Sequence, residues 1–219
     1  MLVKLCGLRR AAEVRRAAEL GAWACGFVFH RPSPRCVTPE AAAALGREAG
    51  SLLRVGVFVE QDLDQIRRVA EAAGLDGVQL HRAWTGWEVA RLRQEGLTVI
   101  GLLRPQWLEG VAGLGEGERP HYFLFEPPAG GLGGTGRRRD WRGWAQRLAH
   151  RPLPRPFLVA GGLDEASLKD AVEAMAPDGV DVSSGIERRP GVKDLERMGA
   201  FLERVGEIHA ARHHRERRA

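Results

Sequence analysis

The stretch PFLVAGGLDEASLKDAVEAMAPDGVDVSS (156–184) reads as one complete strand–helix–strand unit. PFLVAG is a short, almost wholly apolar run that stops at a pair of glycines. Asp164 then offers an N-cap, and DEASLKDAVEAM places its apolar residues near i, i+3, i+4 and i+7, the spacing of an amphipathic helix. GVDVSS (179–184) is a second apolar run that ends in small residues. Strands apolar on both faces, joined through a helix, belong to a parallel sheet covered by helices.

The same unit recurs upstream. LVKLC (2–6), AWACGFVF (22–29), RVGVFV (54–59), DGVQLH (76–81), LTVIGLL (97–103) and HYFLFE (121–126) are further strand candidates, about 25 residues apart on average. Helical segments such as TPEAAAALGREAG and DLDQIRRVAEAAG lie between them, with Thr38 and Asp62 as N-caps. RPQWLEGVAGLGEGERP, after the fifth strand, is the weakest helix, broken by glycine and proline. Trp141 and Trp144, three apart on one expected helix, should pack inward. Eight units without a compositional break predict an α/β chain folded as a single (β/α)8 TIM barrel over residues 1–209. The first strand is not followed by a GxGxxG turn, which argues against a dinucleotide-binding sheet.

Composition narrows the function classes. The chain has 219 residues and a formal charge of +5, with 33 basic side chains of which only three are lysine. The end RHHRERRA carries much of that charge, and residues 210–219 are expected to be a basic tail without stable structure. The remaining arginines fall on amphipathic helices, so no nucleic-acid partner is expected. The chain has neither an apolar run of about 18 residues nor a signal-peptide pattern at its start, so no membrane partner is expected either. Cys6, Cys25 and Cys36 form neither a disulfide framework nor a metal motif, and a reducing cytoplasm is the expected location.

Barrel chemistry sits at the carboxyl ends of the strands. Cys6, Arg35, Gln79, His81, Glu126, Gly161–Gly162 and Ser183–Gly185 all fall there. By position alone Cys6 is either core filler or a reactive thiol. VAGG and SSG, on the last two strands, offer backbone N–H groups to an anion, as phosphate sites in such barrels do. The cluster GGLGGTG (130–136) reads as a loop over the substrate or as surface loop.

Seven stretches occur in a telling order: VKLCGL, GFVFHRPSPRCVTPEAA, RVGVFV, DGVQLH, GGTGRRRDW, LVAGGLDEASL and GVDVSSGIERRPGVKD. Through them the chain resembles the phosphoribosylanthranilate isomerase family of tryptophan biosynthesis over about residues 2–207. The resemblance implies an Amadori rearrangement of N-(5'-phosphoribosyl)anthranilate, with no metal and no cofactor, by a monomer or homodimer. It implies that Cys6 is the general base and that Arg35 grips the anthranilate carboxylate. Substrate binding is further expected at Gly134, Gly161, Gly162, Asp181, Ser183, Ser184 and Gly185. The general acid departs from the family pattern: Glu126 stands where an aspartate is usual. A phosphate-binding relative with altered or lost activity is therefore the alternative. Arg82 and the GLLRP segment are further departures, both expected near the mouth, while Gln79 and His81 are left outside the catalytic set.

Overall fold

A computed structural model describes residues 1–127 and 139–216, the last four by backbone alone. Eight parallel strands close into a barrel in chain order: β1 (Leu2–Cys6), β2 (Ala24–Val28), β3 (Leu53–Phe58), β4 (Gly77–Leu80), β5 (Thr98–Leu103), β6 (Tyr122–Phe125), β7 (Phe157–Ala160) and β8 (Gly179–Val182). Closure is made by β1 on β8, with Lys4 opposite Asp181 and Leu5 opposite Val182.

Alternation along each strand sorts the side chains. Ala24, Val55, Ile100, Leu102, Leu124, Leu158 and Ala160 fill the barrel interior. Cys6, Val28 and Val57 form a smaller apolar group. Val3, Leu5, Phe27, Phe58, Phe123, Phe125 and Val180 belong to the larger core shared with the helices. Full burial of each such side chain contributes roughly 1.5–3 kcal/mol.

The helices are α1 (Ala11–Glu19), α2 (Pro39–Gly46), α3 (Leu63–Ala73), α4 (Gly86–Gln94), α5 (Leu108–Ala112), α6 (Trp141–Arg147), α7 (Glu165–Met175) and α8 (Leu195–Glu216). The expected caps are made: the side chains of Thr38, Asp62 and Asp164 accept from the backbone N–H of Ala41, Gln65 and Ser167. The segment after β5 yields only the five-residue α5 between two 3-10 turns, in keeping with its glycines and prolines. Trp141 is buried, and Trp144 and Phe125 pack in a T-shaped pair at 6.0 Å between ring centroids.

Two features depart from the sequence reading. After β8 the chain makes a small antiparallel ladder, β9 (Glu187–Arg189) with β10 (Val192–Lys193). And α8 passes through the boundary expected at residue 209 and continues to Glu216. Among the described residues no helix is long and apolar enough to cross a membrane.

Candidate active site

A cavity of about 320 Å³ opens at the carboxyl ends of the strands. Its lining contains Cys6, Arg35, Glu126, Gly161, Gly162, Asp181, Ser183 and Ser184, all expected from the sequence, together with His30, Gln79 and His81. Gly185 is not in the wall; it packs against the Leu163 carbonyl, which a β-carbon there would overlap. Gly134 lies outside the described residues.

Cys6 ends β1, and the pleat sets Lys4 on the same interior face. Lys4 Nζ is buried and donates to Asp181 Oδ1 at 2.9 Å, tying β1 to β8 below the thiol. Burial pushes the Cys6 thiol up; Lys4 pulls it back, Asp181 adds to the rise and Lys193 opposes it. A thiol that serves as a base at neutral pH needs a nearby cation to favour the thiolate. The structure supplies two, and burial still outweighs them. Ser183 Oγ donates to the Cys6 carbonyl at 3.0 Å, which anchors the strand end.

Arg35 follows β2 and crosses to the small ladder, where Nε and Nη2 donate to the two Glu187 carboxylate oxygens at 2.7 and 2.8 Å. Two parallel bonds of this kind are the preferred guanidinium–carboxylate geometry. Glu187 also accepts from Lys193 Nζ at 2.9 Å, and Lys193 donates on to the Ser183 carbonyl and hydroxyl. Arg35 is therefore at the expected place, but two of its donors are already engaged.

Glu126 lies just past β6 with its carboxyl almost fully buried. Oε1 is 3.6 Å from Arg139 Nη2, and Oε2 is 3.5 Å from His81 Nε2. Burial raises the Glu126 carboxyl, with Arg139 and Arg104 opposing and Asp181 adding to the rise. Burial drives His81 down to about 4, so at neutral pH it is an uncharged imidazole and no ion-pair partner. Gln79 Nε2 lies 3.5 Å from His81 Nδ1. Donation along that contact leaves the second ring nitrogen to carry its hydrogen toward Glu126.

Gly161 and Gly162 have φ of +92° and +68°, the left-handed conformation that glycine adopts without strain. They turn β7 toward α7, while Ser183 and Ser184 begin the 3-10 turn after β8. Arg82 does not face the cavity. It bonds Glu88 at 2.6 Å and the Ala83 carbonyl, so it serves the start of α4. Among the described residues no group of three or more histidine, cysteine or acidic side chains is placed to hold a metal ion.

Sequence reasoning did not find Lys4, Arg139, Glu187 or Lys193. Lys4 carried a signal, since a residue two before Cys6 on a strand shares its face. Glu187 meets Arg35 across 152 residues of chain, a pairing that no local period announces.

Residues 3–204 match the family model described as N-(5'phosphoribosyl)anthranilate (PRA) isomerase. A curated relative from Desulfovibrio desulfuricans, named N-(5'-phosphoribosyl)anthranilate isomerase, is 44% identical over 209 residues, covering 92% of this chain and 94% of its own. The phosphoribosyl anthranilate isomerase crystal structure from Thermus thermophilus superposes with a TM-score of 0.78 at 32% identity, over 95% of this chain and 100% of that one. A second isomerase structure, in complex with reduced 1-(o-carboxyphenylamino)-1-deoxyribulose 5-phosphate, gives 0.77 at 27% identity over 94% and 100%. A closed eight-stranded barrel, a thiol and a carboxyl facing one cavity and these matches agree: the chain belongs to the N-(5'-phosphoribosyl)anthranilate isomerase family.

Proposed function

We propose that this chain rearranges N-(5'-phosphoribosyl)anthranilate to 1-(2-carboxyphenylamino)-1-deoxyribulose 5-phosphate in tryptophan biosynthesis, with Glu126 as general acid and Cys6 as general base. One observation carries the assignment of roles: the thiol and a buried carboxyl line the same cavity as the Gly161–Gly162 turn after β7 and Ser183 and Ser184 after β8. Glu126 protonates the furanose ring oxygen, and the ring opens to a protonated imine. A carboxyl raised by burial holds its proton better near neutral pH than an exposed one. Cys6 removes the C2 proton, and the resulting enolamine tautomerises to the ketone. Its reactive form is the thiolate, which Lys4 and Lys193 favour against the cost of burial.

Arg35 meets the anthranilate carboxylate through the donors that Glu187 leaves free. Gly161, Gly162, Ser183 and Ser184 meet the phosphate with backbone N–H groups, with Gly185 shaping the turn behind them, and Gly134 and Asp181 complete the substrate contacts. The enzyme works in the cytoplasm as a monomer or homodimer. A relative that keeps the phosphate turns but has lost turnover is the less favoured reading, given the match over residues 3–204.

Steady-state turnover of freshly made substrate, followed by anthranilate fluorescence, tests this. Wild type should turn over, and Cys6→Ala and Glu126→Gln should each lose about 10²–10⁴-fold in kcat with unchanged circular dichroism. Near wild-type rates in either variant would sink the role given to that residue.

A further inference from the structure

Arg139 is a cation out of place for a surface charge. It stands just before α6, its side chain is 5% exposed, and its Nε is buried without a hydrogen-bond partner among the described residues. Its ion-pair partner is Glu126, through Oε1, while Oε2 of the same carboxyl faces His81. His81 and Glu126 line the cavity and Arg139 does not. The two oxygens thus have different neighbours: Oε1 has the buried Arg139 guanidinium, and Oε2 has His81, which lines the cavity. Holding the carboxyl in place matters here because a glutamate carboxyl has one more rotatable bond than an aspartate's, and about 1 Å of misplacement can cost about 10²-fold in rate.

We propose that Arg139 is the positioning residue of the general acid: it holds Oε1 of Glu126 so that Oε2 is presented to the substrate. The inference rests on the isomerase reading and deepens it. Charged and titratable groups face Glu126 from four sides: His81 after β4, Arg104 after β5, Asp181 on β8 and Arg139 before α6. Arg139 acts most strongly among the charges, and it opposes the rise that burial causes.

The test uses the full chain carrying ¹³C-labelled glutamate carboxyls, with the Glu126 signal assigned by its loss in Glu126→Gln. In Arg139→Met the Glu126 titration midpoint should rise by about one pH unit or more. Its kcat should fall about 10- to 100-fold with little change in KM. A higher midpoint by itself enlarges the protonated fraction and favours turnover at neutral pH, so a fall in kcat reports lost geometry. Arg139→Lys keeps the charge without the fork; its midpoint should return toward wild type with intermediate kcat, and it carries the test if Arg139→Met does not fold. An unmoved midpoint, an unchanged or higher kcat, or a raised KM with kcat intact would each overturn the proposal. The titration needs no substrate, so an inert wild type would overturn the isomerase reading while the midpoint still decides the pair.

Discussion

Arg35 reaches the cavity already joined to Glu187, which joins Lys193, which joins Ser183 beside the Cys6 carbonyl. A substrate carboxylate that meets Arg35 therefore meets a guanidinium with a fixed plane, at little further cost in side-chain entropy. Arg35→Ala should raise KM at least 10-fold with a smaller effect on kcat. It should also destabilise the fold by about 1–3 kcal/mol, because buried Glu187 loses two charge-assisted bonds. Paired kinetics and urea unfolding check both, and an unchanged KM would remove Arg35 from the binding site. At this scale the placement of Cys6, Arg35 and Glu126 at one cavity was legible, because each follows or ends a strand at the chemically active face. Arg139 was not: among so many arginines, burial alone singles it out, and burial is a property of the folded chain.

Among the elements, α7 shows how local chemistry sets up a distant function. Asp164 accepts from Ser167 N at 2.7 Å, and Ser167 Oγ accepts from Asp164 N at 3.0 Å, a reciprocal cap directly after the Gly161–Gly162 turn. Asp164→Ala should cost about 1 kcal/mol, read as a lower urea midpoint. It should also weaken inhibition by inorganic phosphate, and unchanged phosphate inhibition would show that the turn holds its shape without the cap. The strands and most helices were legible because their periods are strong and their caps conventional. The ladder of β9 and β10 was not, since three- and two-residue strands are too short to show a period. The helical reach of α8 to Glu216 was hidden by a composition that reads as a solvated tail.

For the molecule as a whole, His81 links stability to pH. It takes up a proton at about 4 in the folded protein, against an ordinary value of 6.5 in the unfolded chain. Between those limits the unfolded chain binds a proton that the folded one refuses, so stability falls as pH drops through the window. The loss approaches about 3 kcal/mol by the lower limit. Urea unfolding at pH 7 and pH 4.5 should show a larger loss for wild type than for His81→Gln, and equal losses would remove His81 as the source.

Lys4 and Asp181 close the barrel, and 177 positions separate them. At a synthesis rate of about 5–20 residues per second, the lysine waits on the order of 9–35 s for its carboxylate. Through that interval the first strand is an open edge that carries a charge destined for burial, a state that favours wrong pairing. Among the site residues Cys6 is made first, yet Asp181 reaches it only with β8 and Lys193 only with β10. A nascent fragment that stops short of β8 lacks Asp181, the carboxylate that Lys4 meets beside the thiol.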